Sequence, residues 1–319
     1  MKPIPGLIRP IFQGAIILGC ILGCARWSSA QGLNVPVYSE DPEAESQLRD
    51  AAVKLRKDGK LVGDSVLTNQ FSRKFCQLTL PKPATNQLSS RDLWAIAHTA
   101  HLRVGWYYLC TKCNKWHLNL AAGYALTKDG AVATCYHVVA PPDSLKEGFL
   151  VVADENGEMF PVTEILAANQ ALDVCILRVA AKSLKPLPLN TEIFPGDRCV
   201  CFSDPLGERG YYSEGIVSRF LTTRAGRRRN RGDSPSEAAT RLDVTTDWAP
   251  GSSGAAVLDN CGNAIGHVTS IATLGDRPVR ENGRRQAGPT LITIHEAVSA
   301  RDVLGLIRPP LKTATDTTQ

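Results

Sequence analysis

Residues 246–258 read Thr246-Asp247-Trp248-Ala249-Pro250-Gly251-Ser252-Ser253-Gly254-Ala255-Ala256-Val257-Leu258. A turn of small residues, Pro-Gly-Ser-Ser-Gly, leads directly into an apolar run that is typical of a buried strand. Because Gly and Ser add little side-chain bulk, backbone N–H groups can crowd around one hydroxyl in such a turn. The stretch therefore predicts that Ser253 is an activated nucleophile.

A serine hydroxyl is a weak nucleophile alone, so it needs a base to take its proton and a third group to hold that base in the right tautomer. Upstream, residues 123–137 read as a strand, a Lys-Asp-Gly turn and a second strand that His137 closes. Asp173 stands at the head of the apolar, β-branched run 171–179. Each residue alone would be ordinary in its setting. Together, in the order His, Asp, Ser and in strand contexts, they predict a catalytic triad.

In these motifs the chain resembles the chymotrypsin-fold, trypsin-like serine proteases, and most closely their Do-like (HtrA) branch. The resemblance rests on CYHVV at 135–139, LDVCILRV at 172–179 and APGSSGAAVLDNCGNAIGHV at 249–268. Three motifs in family order form a specific signal, whereas one alone would be weak. Do-like proteases often carry a PDZ domain after the protease domain, and we expect none here.

The resemblance implies a mainly β fold of two six-stranded antiparallel β-barrels that share a cleft. His137 and Asp173 would come from the first barrel and Ser253 from the second. Ser253 would attack a peptide carbonyl, His137 would take and return the proton, and Asp173 would orient the imidazole. The amides of Gly251 and Ser253 would hold the oxyanion. This chemistry implies polypeptide substrates and an acyl-enzyme, with no cofactor needed for catalysis.

Two departures from the family pattern concern specificity. Ser253-Gly254 is followed by Ala255-Ala256, where the family more often has Gly or Pro, and this could reshape the cleft wall. Asp247 stands six positions ahead of Ser253. In trypsin-like proteases an acid at that spacing lies at the base of the specificity pocket and selects Lys or Arg. The alternative is that Asp247 satisfies backbone donors near the turn.

We expect four segments: a signal peptide over 1–30, an N-terminal region over 31–117, the protease domain over 118–308 and a disordered tail over 309–319. The N-terminal region is expected to be a mixed α/β extension. One helix should begin at Pro42, capped by Asp41, and continue to Lys57. A second should begin near Ser89 or Ser90 and run towards Leu102. The Arg-rich stretch 224–237 reads as an exposed loop.

The N-terminal region also contains a Cys/His knuckle. Cys110 and Cys113 are two residues apart and His117 follows closely, a spacing that can wrap one zinc ion through a tight turn. The fourth ligand would be Cys76, His98 or His101. Structural zinc, plain disulfides such as Cys76 with Cys110 or Cys113, and redox-active thiols remain open alternatives.

Residues 1–30 read as an export signal, with a basic start, an apolar stretch and the cleavage motif Ser-Ser-Ala before Gln31. There are two alternatives: cleavage as a lipoprotein before Cys20 or Cys24, or retention of the segment as an anchor. Only these alternatives would place the protein at a membrane. We therefore expect a periplasmic or secreted protein. Eight of the ten cysteines would remain after cleavage, so disulfides are allowed. Cys135 and Cys175 could form a disulfide, or each could be a small buried apolar group.

The charge argues against nucleic acid as a partner. The formal net charge is +5, and loss of Lys2, Arg9 and Arg26 with the signal would leave +2. The leading interpretation is an exported serine endopeptidase. The alternatives are a protease-fold module that binds peptides without turning them over, and a latent enzyme controlled by its N-terminal region.

Overall fold

The structure, a computed structural model, describes Tyr38 and residues 42–224, 238–275, 279–281, 284–286 and 289–309. The expected signal segment over 1–30 lies outside the described residues, as do positions 225–237 of the Arg-rich loop and 310–319 of the tail. Within the described residues, no helix is both long and apolar enough to cross a membrane.

The N-terminal elements are α1 (Pro42–Lys57), α2 (Asp64–Thr68), β1 (Cys76–Gln77) and α3 (Ser90–Ala100). Both predicted helices are confirmed. Ser89 caps α3, because its side chain accepts a hydrogen bond from the amide of Asp92. This bond satisfies one of the amides that a helix start leaves unpaired.

The first barrel consists of six antiparallel strands. They are β2 (His101–Cys110), β3 (Trp116–Ala125), β4 (Ala131–Thr134), β5 (Leu145–Ala153), β6 (Met159–Asn169) and β7 (Val174–Val179). The order β2-β3-β4-β7-β6-β5 closes on itself, since β5 pairs with β2. A short helix, α4 (Tyr136–Val139), follows β4.

The second barrel also has six antiparallel strands, in the closed order β10-β15-β12-β11-β8-β9. In chain order this part contains β8 (Arg198–Ser203), β9 (Tyr211–Arg224), β10 (Ala238–Val244), β11 (Ala256–Asp259), β12 (Ala264–Gly275), the hairpin β13 (Val279–Glu281) and β14 (Arg284–Gln286), β15 (Thr290–Ser299), α5 (Ala300–Gly305) and β16 (Ile307–Arg308). The expected mainly β, two-barrel fold of the chymotrypsin-like class is therefore confirmed.

The boundary expected at residue 118 is wrong. The first barrel begins with β2 at His101, so a cut at 118 would remove one of its six strands and part of a second. The expected N-terminal region is also tied to the far end of the chain, because β1 pairs in parallel with β16, Cys76 opposite Ile307. Closure of a barrel depends on pairings between distant residues, and a motif search along the chain does not detect them.

Helices pack against both barrels. The strand β2 is buried along almost its whole length, because α1 packs Leu48 and Ala52 over the outer side chain of Tyr107. The helix α3 buries Leu93 and Ala97 in a cluster that also contains Phe202 of β8. Apolar side chains of both barrels meet in that cluster, so it forms the core between them.

Candidate active site

His137 and Asp173 are joined by side-chain and backbone contacts. Nδ1 of His137 lies 2.9 Å from Oδ2 and 3.1 Å from Oδ1 of Asp173, and the backbone N–H of His137 donates to Oδ1 at 3.1 Å. The expectation that His137 closes a strand is wrong, since β4 ends at Thr134 and His137 lies in α4 after the extended residue Cys135. This turn directs the ring and the backbone N–H of His137 at one carboxylate.

The second barrel fixes Asp173 from the other side. The hydroxyl of Thr269 on β12 donates to Oδ2 at 2.6 Å, and Nε2 of His267 lies 3.3 Å from the backbone oxygen of Asp173. Burial of the carboxylate would raise its pKa, but hydrogen bonds from His137 and Thr269 and the electrostatic influence of His137 together lower the pKa to about 2. Asp173 is therefore an anion at neutral pH that can hold the imidazole in one tautomer.

Ser253 lies in the turn before β11 and is partly exposed. The amide of Ala122 on β3 donates to the backbone oxygen of Ser253 at 2.8 Å. The next amide, that of Gly254, donates to the Val268 carbonyl at 2.8 Å, and the thiol of Cys135 donates to the same carbonyl at 3.1 Å. The backbone around Ser253 is thus tied to the segment that carries His137.

The hydroxyl of Ser253 and the imidazole of His137 are not hydrogen bonded within the described residues. Such contacts are often long in a site without substrate and tighten in the complex. The structure therefore brings His137 and Asp173 into direct contact and places the turn of Ser253 beside them.

The turn from Ala249 to Ala255 is closed by its own backbone. The amide of Ser252 donates to the Ala249 oxygen at 3.1 Å, and that of Ala255 to the Ser252 oxygen at 2.9 Å. Gly251 has a φ of +105°, and a Cβ there would lie 2.8 Å from the backbone oxygen of Asp204, so only glycine fits. In the described part of the chain the amides of Gly251 and Ser253 donate to no other group, which leaves them available to an oxyanion.

A buried charge cluster, defined by His101, Arg103, Glu155 and Asp204, lies behind this turn. The Nε of Arg103 donates to Asp204 at 2.6 Å, and its Nη2 lies 3.0 and 3.1 Å from the two carboxylate oxygens of Glu155. The Nε2 of His101 lies 3.5 Å from Asp204. Burial alone would raise the pKa of Asp204, but the neighbouring His101 and Arg103 hold it well below its usual range.

The cluster links both barrels to the turn from Ala249 to Ala255, which we call the oxyanion turn. Arg103 belongs to the first barrel, while Asp204 follows β8 of the second. Two residues on, the amide of Leu206 donates to the Pro250 oxygen at 2.7 Å. Sequence reasoning missed this cluster. The available signal was Arg103 itself, the one charged residue of the apolar run 102–109, because an arginine is almost never fully buried unless it is paired.

Asp247 is exposed, and its backbone pairs with Ser213. The Ser213 hydroxyl donates to the Asp247 oxygen at 3.0 Å and accepts from the Asp247 amide at 3.0 Å. The next residue, Trp248, is buried and donates from Nε1 to the Ser270 oxygen at 3.2 Å. Selection of basic residues by Asp247 stays a prediction.

The structure brings together three of the predicted metal ligands, Cys110, Cys113 and His117. It does not bring Cys76 to them: Cys76 pairs with Ile307 and its thiol donates to the Leu306 oxygen at 3.7 Å. The expected role of Cys76 as a ligand or as a disulfide partner of the knuckle is therefore wrong. Its strand pairs with the C-terminal strand, a contact between residues far apart in the chain.

The other predicted fourth ligands, His98 and His101, also lie elsewhere, near Glu155. All eight cysteines of the described residues are free thiols. Cys135 and Cys175 are both fully buried, and burial raises the pKa of each thiol. They pack as small apolar groups.

A buried aspartate that holds an exposed imidazole, beside a serine in a glycine turn at the junction of two β-barrels, is the arrangement of a trypsin-like serine peptidase. Residues 121–266 match the family model described as "Trypsin-like peptidase domain". This segment of the chain is therefore similar to trypsin-like peptidase domains, and the curated relatives that the chain matches include serine endoproteases.

Among the curated relatives, "Serine endoprotease DegS" of Haemophilus influenzae is 27% identical over 155 residues, which cover 47% of this chain and 41% of the relative. "Protease Do-like 1, chloroplastic" of Arabidopsis thaliana is 27% identical over 156 residues, which cover 47% and 33%. The solved structure "HtrA-type protease AlgW with tripeptide" matches with a TM-score of 0.47 at 21% identity, over 68% of this chain and 62% of that one. The chain thus spans less than half the length of these two curated relatives.

Proposed function

We propose that this chain is a serine endopeptidase that is exported from the cytoplasm and acts on polypeptides. The observation that carries the proposal is the contact between the His137 ring and the buried Asp173 carboxylate, next to the turn that presents Ser253. One of the curated relatives is named as a serine endoprotease and another as a protease, which supports the same reaction class.

In the proposed reaction the Ser253 oxygen attacks the carbonyl carbon of a peptide bond while His137 takes the hydroxyl proton. The Asp173 carboxylate stabilises the imidazolium that forms. His137 then gives the proton to the leaving amine, which departs and leaves an acyl group on Ser253. A water molecule, deprotonated by His137, attacks this ester and releases the acid and the free serine.

The amides of Gly251 and Ser253 would donate to the oxyanion of both tetrahedral intermediates. Each such donor contributes about 3 kcal/mol to transition-state stabilisation. The left-handed backbone of Gly251 and the contact between Leu206 and Pro250 support this role, because both fix the path of the turn. None of these steps requires a cofactor.

Export rests on residues 1–30. Their basic start, short apolar stretch and small-residue motif before Gln31 are typical of a cleaved signal. We propose a periplasmic or secreted protein, with membrane attachment only if the segment is retained or a lipid is added at Cys20 or Cys24.

The proposal is tested by labelling the purified mature protein with a fluorophosphonate, which reacts with activated serines. We expect wild type to be labelled, and Ser253→Ala and His137→Ala to lose the label. Ser252→Ala is the matched control, since the neighbouring Ser252 is buried, and it should keep the label. The intact mass of the same sample reports the first residue, expected at Gln31.

Labelling that survives Ser253→Ala would refute the assignment of the nucleophile. If circular dichroism shows that the wild type is folded but it takes no label, the proposal that the chain is an active peptidase is refuted. The better interpretation would then be peptide binding without turnover or a latent enzyme controlled by its N-terminal region.

A further inference from the structure

The hairpin between β2 and β3 contains a cluster of soft ligands that the proposed reaction does not use. Cys110 ends β2, Cys113 lies in the turn and His117 lies near the start of β3. Their ligand atoms all lie within 4.8 Å of one another, and Cys113 Sγ is 3.0 Å from His117 Nε2. We propose that these three residues bind a zinc ion.

The distances suit zinc after a small movement. With Zn–S near 2.3 Å and Zn–N near 2.05 Å, a tetrahedral ion holds a sulfur and a nitrogen about 3.5 Å apart. The pair Cys113 and His117 is closer than this by about 0.5 Å. Cys113 is exposed in the turn, so a rotation of its side chain can open that gap without moving the barrel.

The backbone of the turn favours this geometry. Asn114 has a φ of +53°, which non-glycine residues rarely adopt, although asparagine is among the most tolerant. The Asn114 amide donates to the Cys110 oxygen at 3.0 Å, and the Lys112 amide donates to Cys110 Sγ at 3.4 Å. An amide that points at a ligating sulfur stabilises its negative charge and fixes its orientation. The turn is therefore shaped before any metal binds.

The donor set selects the kind of metal. Two thiolates and one imidazole are soft to borderline ligands, which zinc prefers and which calcium and magnesium do not. Both cysteines would bind as thiolates, and the ion would keep one position for water because the described residues supply three ligands. The tip of the hairpin would then be closed by metal bonds across the strand pair Leu109 and Trp116.

The buried charge cluster does not offer the same chemistry. His101, Glu155 and Asp204 also lie close together. However, the guanidinium of Arg103 already donates to both carboxylates. That position is therefore occupied by a side-chain cation.

The test is metal analysis of the full mature chain, purified under reducing conditions, incubated with zinc and desalted. We expect about one zinc per chain in wild type and none in Cys113→Ser or His117→Gln. Cobalt in place of zinc should give the visible bands of a tetrahedral ion and a thiolate charge-transfer band in the near ultraviolet, and both variants should lose them. The matched control is Cys261→Ser, a half-buried thiol outside the cluster, which should bind as wild type does.

Thermal unfolding gives a second readout that does not depend on peptidase activity. Zinc should raise the unfolding temperature of wild type and of Cys261→Ser, but not of Cys113→Ser, because only a folded site binds the ion. The proposal is overturned if wild type retains neither zinc nor cobalt. It is also overturned if both ligand variants bind as wild type does, or if the mass of the native protein shows a Cys110–Cys113 disulfide.

Discussion

Asp173 keeps its negative charge inside the protein because its partners outweigh the cost of burial. Its side chain is 15% exposed, and its pKa in the folded chain is about 2 against an ordinary 3.8. A carboxyl group whose pKa is lower in the folded than in the unfolded state stabilises the folded state at every pH above the ordinary pKa. That stability is lost as the pH falls from about 4 to about 2, and it amounts to about 2 kcal/mol.

We predict that Asp173→Asn removes this acid dependence. Between about pH 4 and pH 2 the free energy of unfolding of wild type should fall by about 2 kcal/mol more than that of the variant. Urea denaturation across this range measures the difference. The buried His267, whose pKa burial lowers to about 4, titrates mainly above this window and is present in both proteins. Parallel curves would contradict the assignment of the charge to Asp173.

The same variant should also react slowly with the fluorophosphonate at neutral pH. An asparagine presents an amide that can favour the wrong tautomer of His137, and the loss in rate is expected to be about four orders of magnitude. A labelling rate within a few-fold of wild type would show that the carboxylate does not orient the base.

At the scale of elements, the position of Ser253 depends on how closely its turn approaches β3. Gly254 has a φ of +91°, and a Cβ there would lie 2.1 Å from the Ala122 oxygen and 2.5 Å from the Thr134 hydroxyl. The backbone oxygen of the preceding residue, Ser253, accepts a hydrogen bond from the Ala122 amide. Any side chain at 254 would therefore push the nucleophile away from the first barrel.

We predict that Gly254→Ala loses the label and is destabilised well beyond the roughly 1 kcal/mol expected from backbone strain. The matched control is Gly196→Ala, because Gly196 has a similar φ of +98° and nothing within 4 Å of its Cβ position. Labelling rates and urea denaturation of the two variants distinguish the clash of a Cβ with β3 from the backbone strain of a positive φ. Equal effects in both would refute the contact with β3 as the cause.

The local features of the molecule and, through the family resemblance, its two-barrel fold were predictable from the sequence, whereas individual long-range pairings were not. Ser253, His137 and Asp173 stand in local contexts of turn and strand, so their order was readable, and the helix start at Ser89 follows from its capping chemistry. The place of β2 in the barrel and the separation of Cys76 from the knuckle depend on pairings across the whole chain. The α4 turn is too short for periodicity to show.

At the scale of the whole molecule, Arg103 forms ion pairs with two carboxylates that come from different barrels. Its side chain is only 5% exposed, and it reaches Glu155 in the first barrel and Asp204 beside the second. Removing one member of a buried ion pair leaves an uncompensated charge and costs about 3–5 kcal/mol. We therefore predict that Arg103→Met lowers the free energy of unfolding by about this amount. It should also slow labelling of Ser253, because Asp204 fixes the loop that contacts Pro250.

Two comparisons distinguish the effect of an unpaired buried charge from a general loss of packing. Arg49→Met breaks an exposed pair with Glu45 on α1 and should cost less than about 0.5 kcal/mol. Adding Glu155→Gln and Asp204→Asn to Arg103→Met removes the unpaired charges, so it should recover part of the lost stability, measured by urea denaturation. If the triple variant is no more stable than Arg103→Met, burial of unpaired charge is not what the arginine prevents. A recovery of stability without recovery of labelling would show that Asp204 must be an anion to hold the oxyanion turn in place.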